Sequence, residues 1–327
     1  MNVVAIFFLF QTGIGLLGNS ALLMVYVNVF INQPNQIKPA DLILTHLTMA
    51  NAVTLLTQAA PWMVMAFRWE NNLDIVACQI ALYMRRVARG LSICTMCLLS
   101  VFQAITISPS TSCWAQFKPR ARNCIVPSFL FFWILNLTLD GNILKTIAPS
   151  INVTTVVNSY NSKCCGSILR ANYLNNVVFQ SAMTFRDLFF VFLMSWSSGY
   201  MVMVLHQHHK QVQHIHSTSL SPKSSPETRA TQTILLLVTC FVCFYCINFS
   251  INFSLNFVED VLRLYDPATF LGACYAFLCP LVMIRNESRV PRSPWILKML
   301  RRLFPRLELR DTERVTSLSN FLPMAPL

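Results

Sequence analysis

Residues Val3–Phe30 read VVAIFFLFQTGIGLLGNSALLMVYVNVF and contain no Asp, Glu, Lys or Arg. An α-helix rises about 1.5 Å per residue and the hydrocarbon core of a bilayer is about 30 Å thick, so roughly 20 apolar residues cross it. Six more stretches follow the same pattern: 42–67 (with Pro61 interrupting it), 79–107, 125–147, 177–205, 234–258 and 270–284, the last being the shortest. The whole chain shares the bias, with 54% hydrophobic and 12% charged residues and a mean hydropathy of +0.51. A soluble domain carries about 25% charged residues, so this chain is short of polar surface for water. Barrel strands would be about ten residues long and alternate with a period of two, which these runs do not. The expected fold is an all-α integral membrane protein, a seven-transmembrane-helix bundle.

Seven crossings put the termini on opposite sides, and basic residues decide which side is which. One set of connections and the C-terminal tail carries Lys38, Lys118, Arg120, Arg122, Lys210, Lys223, Arg229, Arg285, Arg289, Arg292, Lys298, Arg301, Arg302, Arg306, Arg310 and Arg314. The other set carries Arg68, Lys145, Lys163, Arg170 and Arg263. The first set is therefore cytoplasmic and the N-terminus lies outside. The net charge of +12 follows from the same asymmetry and suits an anionic inner leaflet. Nucleic acid is not an expected partner, because no basic patch sits on a soluble domain. The first span is expected to act as its own insertion signal, with almost no extracellular domain before it.

Topology sorts the motifs. Cys94 with Cys97, and Cys240 with Cys243 and Cys246, have C-x-x-C spacing but fall inside spans, where thiols act as small hydrophobes; no metal or cofactor is expected. Cys78 sits at the outer mouth of the third span, and Cys164 and Cys165 lie in the outer 4–5 loop. The oxidising exterior favours a disulfide from Cys78 to one of them, Cys165 being preferred and Cys164 left open. Of the N-x-[ST] sites at Asn136, Asn152, Asn248, Asn252 and Asn286, only Asn152 is on an exposed outer loop, so it is the expected glycan acceptor. Gly13, Gly15 and Gly18 match G-x-G-x-x-G, but within an apolar helix they read as a close-packing surface.

Polar side chains in a span face the bundle interior or a cavity. Arg85, Arg86 and Arg89 share one face of the third span. Asn248, Asn252 and Asn256 form a stripe along the outer half of the sixth. Arg186 and Asp187 lie in the fifth with Gln180; as neighbours about 100° apart on a helix they are not expected to pair. Two readings stand for these residues: interhelical hydrogen bonds that hold the bundle, or an outer vestibule suited to a small apolar molecule with an anionic group. Glu70, Asp74, Glu259, Asp260 and Asp266 are nearby acids that would otherwise balance the arginines. Asp41, Asp140 and Asp187 read as scattered, with no proton relay among them.

On the cytoplasmic side His206, His208, His209, His214 and His216 follow the fifth span as a helical extension that meets a cytosolic partner. Residues 286–327 form a tail, in which 295–304 reads as a short amphipathic helix on the membrane lipid. No H-E-x-x-H, G-x-S-x-G or P-loop motif is present, so the chain is not read as an enzyme.

Several strings resemble the vomeronasal type-1 receptors: Gln11-Thr12 leading to Leu17-Gly18-Asn19, Asp41 through Thr48 with Ala50-Asn51, Arg86 through Gly90, Cys97 through Pro109, Arg186-Asp187 with Phe189 through Val191, Ser198 through Met201, and Leu205 through Ser217. The resemblance runs from about Gln11 to Ile284. It implies a G-protein-coupled receptor for pheromones or similar small chemosignals, coupling to an inhibitory-class heterotrimeric G protein. It implies sulfated steroids among the ligands, Cys78 as a disulfide partner and Asn152 as a glycan site. The chain departs from the broader rhodopsin-like pattern at Phe102-Gln103-Ala104, where Asp-Arg-Tyr is absent, at Cys279-Pro280-Leu281, and at Asn51 in the place of a sodium-binding Asp. A bitter-taste-like receptor is an alternative, against which the arginine and histidine strings argue. A small-molecule transporter is another; it would need a polar path through the membrane, and the inner half of the sixth span, Ile234 to Val242, is almost wholly apolar.

Overall fold

The computed structural model of the protein describes residues 3–66, 75–141, 161–162, 165–166, 173–215, 226–254 and 261–286. Seven α-helices lie among them: α1 (Val3–Asn32), α2 (Pro39–Ala66), α3 (Ile75–Ile107), α4 (Lys118–Asp140), α5 (Tyr173–Ile215), α6 (Pro226–Ser254) and α7 (Val261–Asn286). A two-stranded antiparallel ribbon pairs β1 (Asn161–Ser162) with β2 (Cys165–Gly166). The 295–304 segment lies outside the described residues, as do Asn152 and Cys164, and the side chains of Cys78 and Cys165.

The packing is inverted relative to a water-soluble fold. Phe185 is 73% exposed and Met24 and Trp196 67%, whereas Asn19, Asn51, Asn136 and Asp140 are at most 1% exposed. Apolar side chains outward and amides inward is the arrangement that lipid demands, because a polar group has no partner in hydrocarbon. Six described stretches are long and apolar enough to cross a membrane: Ile6–Asn32, Pro39–Ala59, Ile80–Ile107, Cys113–Asp140, Ser181–His208 and Ala230–Ile251. A seventh, Phe270–Arg285, is shorter. The seven-helix architecture expected from the apolar runs is the one found.

The helix limits differ from the apolar windows in instructive ways. α2 runs on through Pro61, since a proline inside a membrane helix forfeits one hydrogen bond that neighbouring groups replace. α2 begins where Pro39 takes the first helical position and Asp41 Oδ2 accepts the Lys38 backbone N–H at 2.9 Å, one arm of a capping box. α5 extends for 43 residues, well beyond the apolar core, because its polar flanks contain no proline. α7 likewise starts at Val261, upstream of the apolar window.

Interior amides join the helices. Asn19 Nδ2 donates to the Gly15 carbonyl at 2.7 Å and to the Ala276 carbonyl of α7 at 3.1 Å. Gln11 Nε2 donates to the Phe270 carbonyl at 3.2 Å. Of the three glycines in α1, Gly15 and Gly18 lie against neighbours: a Cβ at Gly15 would meet Leu55 Cδ1 at 2.7 Å, and one at Gly18 would meet Pro280 at 3.1 Å. Gly13 has open space. Close packing is thus the role of Gly15 and Gly18 only.

His46 of α2 is the hub that ties α2, α3 and α4 together. Trp133 Nε1 donates to its Nε2 at 3.1 Å, and its Nδ1 lies 2.9 Å from Thr95 Oγ1. An indole N–H can only donate, so Nε2 accepts and the ring proton sits on Nδ1, facing Thr95. Phe129 stacks on the ring at 4.3 Å.

Candidate functional site

The odd-numbered helices begin at one end of the bundle, called here the leading end; the other is the trailing end. In the leading half, α2, α3, α6 and α7 surround a cavity of about 40 Å³. Its polar wall is Asn51 and Thr54 (α2), Arg89 and Ser92 (α3) and Asn248 (α6); its aromatic wall is Phe241, Phe244 and Tyr245 (α6) with Tyr275 (α7). Ser92 Oγ donates to Asn51 Oδ1 at 2.9 Å, which fixes the floor. The Phe241 ring meets Tyr275 edge-on at 4.5 Å. The Arg89 guanidinium carbon sits 6.0 Å from the centroid of the Tyr245 ring, within cation–π range. Such a space holds about two waters, whereas drug-sized ligands fill roughly 300–1,000 Å³.

The residues singled out in the sequence divide between two places. Arg89 and Asn248 line this cavity. Of the three arginines on this face of α3, Arg89 lines the cavity, Arg85 is half-buried, and Arg86 is exposed and points Nη1 at Met183 Sδ of α5, 3.6 Å away. Asn256, and the side chains of Gln180 and Asn252, lie outside the described residues.

Arg186 belongs elsewhere, and here two readings are corrected. It is 8% exposed and sits among α3, α4 and α5 in an ion cluster. Nη1 donates to Asn136 Oδ1 at 2.9 Å and to Asp140 Oδ2 at 3.3 Å. Nε and Nη2 both reach Asp187 Oδ1, at 2.9 and 2.8 Å. Adjacent positions do pair here, because the long arginine stem folds back and overcomes the divergence of the two Cβ vectors. Asp140 and Asp187 are far apart in sequence yet converge on one guanidinium. Asn136, one of the five sequons, is fully buried; its Nδ2 donates to the Phe132 carbonyl at 2.7 Å. Gly90 makes room for this: a Cβ there would overlap Asn136 Oδ1 and lie 3.0 Å from Arg186 Nη1. The cluster braces the bundle beside the cavity, and Tyr245 lies in the field of both Asp187 and Arg89.

At the trailing end, neutral hydrogen bonds join the helices. Gln103 Nε2 of α3 donates to Thr231 Oγ1 of α6 at 3.0 Å, both residues buried. The Tyr200 hydroxyl of α5 bridges Ser108 Oγ at 2.9 Å and Ser112 Oγ at 3.3 Å. Sequence reasoning passed over these pairs and His46; a lone hydroxyl or imidazole in an apolar run carries no mark of its partner. Cys94 and Cys97 are buried free thiols, and the Cys94 sulfur lies 3.8 Å from Asn136 Nδ2.

A helical bundle with a small polar and aromatic cavity toward one end and a hydrogen-bonded seam toward the other suits a receptor that transmits a binding event along its axis. The family model of the vomeronasal organ pheromone receptor family matches residues 2–295. Vomeronasal type-1 receptor 50 of Mus musculus is 34% identical over 278 residues, 85% of this chain and 89% of the relative. Vomeronasal type-1 receptor 3 of Homo sapiens is 36% identical over 286 residues, covering 86% and 90%. Vomeronasal type-1 receptor 90 of Rattus norvegicus is 36% identical over 288 residues, covering 88% and 92%. The chain belongs to the vomeronasal organ pheromone receptor family, the vomeronasal type-1 receptors: it is a multi-pass plasma-membrane chemosensory receptor of the G-protein-coupled type, and not an enzyme.

Proposed function

We propose that this receptor takes a small, largely apolar molecule bearing an anionic group, steroid-like in size, into the leading half of the bundle. In this reading the leading end and the N-terminus face outward and the C-terminus is cytoplasmic. Residues 1–285 are the receptor domain, and 286–327 a tail whose 295–304 stretch lies on the inner leaflet. A disulfide from Cys78 to Cys165 (or Cys164) and a glycan on Asn152 belong to the outer side. The trailing end receives a heterotrimeric G protein of the inhibitory class.

One observation carries the ligand reading: Arg89 and Asn248 line the same cavity as Phe241, Tyr245 and Tyr275. A cation that meets a sulfate or carboxylate, an amide that orients a second polar group and rings that cover an apolar body are the elements of a small-molecule site. Arg186 is left out of the ligand set, because two carboxylates and an amide already engage it.

The test is a cell assay with an epitope tag on Met1 and a reporter of G-protein activation. A panel of sulfated steroids is applied beside the unsulfated parents. The reading expects responses to sulfated compounds only, blocked by pertussis toxin and weakened by roughly tenfold or more in Arg89→Gln, the loss expected for a charge-assisted bond. Responses confined to neutral compounds and unchanged in Arg89→Gln would overturn the anion reading. Tag labelling that required permeabilised cells would overturn the orientation.

A further inference from the structure

The polar wall of the cavity holds a donor that the protein itself does not satisfy. Asn51 is 1% exposed. Its Oδ1 accepts from Ser92 Oγ at 2.9 Å, and its Nδ2 meets no hydrogen-bond partner among the described residues. The sulfur beside that nitrogen, Cys279 Sγ, is a weak acceptor and already takes the Tyr275 hydroxyl at 3.5 Å. The other hydroxyls of the wall are turned to other groups: Thr54 Oγ1 donates to the Ala50 carbonyl at 2.9 Å, and the Tyr245 hydroxyl bonds Asp187. A buried N–H without an acceptor is costly, so Asn51 calls for one from within the cavity.

Charge decides what that acceptor is. Among the described residues Arg89 lines the cavity and no Asp or Glu does. Arg89 also faces the Tyr245 ring and has a further partner, but its positive charge acts across the cavity whatever else it touches. The described side chains of the leading half include four arginines, Arg85, Arg86, Arg89 and Arg186, against two aspartates, Asp140 and Asp187. Both aspartates are bonded to Arg186, and neither lines the cavity. A cation is repelled here, and a water would answer Asn51 while leaving the excess of positive charge as it is. A small anion answers both. Space for about two waters suits a monatomic one. We propose that this cavity is a chloride site: the ion sits between Asn51 Nδ2 and the Arg89 guanidinium in the ligand-free receptor, and the anionic group of a ligand takes its place. Chloride is then a competitor, and the salt around the receptor sets its sensitivity to anionic ligands. The exchange rests on the reading of Arg89 as the ligand's cation; the chloride site itself does not.

The deciding measurement needs no organic ligand. The full receptor in nanodiscs is unfolded by heat in sodium salts of constant ionic strength, with chloride exchanged for gluconate. A site half-filled at about 30 mM favours the folded form roughly sixfold at about 150 mM chloride, which for a chain of this size raises Tm by about 2 °C. Bromide should act as chloride does. Asn51→Leu, which removes the donor, and Asn51→Asp, which keeps the acceptor for Ser92 and turns an oxygen on the ion, should show no such rise; the second serves if the first fails to fold. The affinity of a radiolabelled sulfated steroid for the wild-type nanodiscs should weaken roughly sixfold from gluconate to chloride. A wild-type Tm that is the same in both salts overturns the chloride site, as does an equal rise in the Asn51 variants. A Tm that follows chloride beside a steroid affinity that does not overturns the exchange. The two readings fail separately. Selective loss of the sulfated-steroid response in Arg89→Gln beside a flat wild-type Tm removes the chloride site and keeps the ligand class. A chloride-dependent Tm in a receptor that answers neutral compounds alone removes the ligand class and keeps the chloride site.

Discussion

Replacing Arg186 with leucine should destabilise the receptor more than any other single change in the ion cluster. The side chain serves Asn136, Asp140 and Asp187 through Nη1, Nη2 and Nε. Its loss leaves the Asp140 carboxylate, 1% exposed as a side chain, with no cation bonded to it, and strips Asn136 Oδ1 of its donor. Removing one partner of a buried ion pair costs about 3–5 kcal/mol, mostly because the other charge is stranded. At about 2 °C per kcal/mol for a chain of this size, Tm should fall by on the order of 10 °C. Asp140→Asn keeps an acceptor at the same place and should cost less, about 1–2 kcal/mol. The informative variant is Arg186→Leu/Asp140→Leu, which removes the more deeply buried of the two carboxylates that Arg186 serves and leaves Asp187, 14% exposed, without its cation. It should recover part of the loss, because a buried pair replaced by apolar groups is often neutral. The assay is thermal unfolding in nanodiscs with a thiol-reactive fluorophore, for which buried Cys94, Cys97, Cys274 and Cys279 report unfolding. An unchanged Tm for Arg186→Leu, or a double variant as unstable as the sum of its parts, would refute the reasoning.

Other outcomes follow from the same packing. The α1 and α3 glycines should rank clearly when changed to alanine in the same unfolding assay: Gly90→Ala worst, at about 1–3 kcal/mol or more for forced overpacking, because Asn136 and Arg186 block its Cβ; Gly15→Ala milder, because it meets the end of a leucine; and Gly13→Ala, with open space around it, neutral or better by about 0.5–1 kcal/mol. At position 46, His46→Asn should keep the bond to Thr95, since its amide group sits where Nδ1 does, but stop short of the Trp133 indole that meets Nε2, so it should cost less than His46→Leu without matching the wild type. His46→Leu should lose about 1–3 kcal/mol through the orphaned indole N–H and shift the Trp133 emission. Enzymatic deglycosylation should change the gel mobility of the wild type and of Asn136→Gln or Asn248→Gln wherever these reach the surface, and have no effect on Asn152→Gln; buried Asn136 and Asn248 are closed to the transferase.

The fold was legible because lipid imposes a coarse rule, that long apolar runs are helices, and the rule holds without knowledge of any contact. It gave way where the signal was not composition. Pro61 looks like a break but only costs a hydrogen bond, and the upstream flank of α5, from Tyr173, looks like a loop but carries nothing that stops a helix, whereas its histidine flank reads as helix and is one as far as Ile215. The site was legible to the extent of its polar inventory. Arg89 and Asn248 stand out because a polar side chain in a span needs a reason. Their partners do not: Tyr245 and Phe241 look like any other rings in an apolar run, and Asp140 and Asp187 meet at Arg186 only in three dimensions. Arg186 itself shows the limit, since a buried cation marks a ligand's counter-ion and a brace with equal force until the neighbours are known.

The length of α5 has a mechanical meaning. The helix is fastened by the ion cluster at Arg186 and continues without proline to Ile215, about 44 Å farther along at about 1.5 Å per residue. A rod pivoting at one point magnifies small rotations at its far tip: a tilt of about 5° at the pivot carries Ile215 sideways by about 4 Å. Slight rearrangements around Arg186 would thus arrive in the aqueous phase as displacements the size of a side chain, with the histidine segment riding on the moving end.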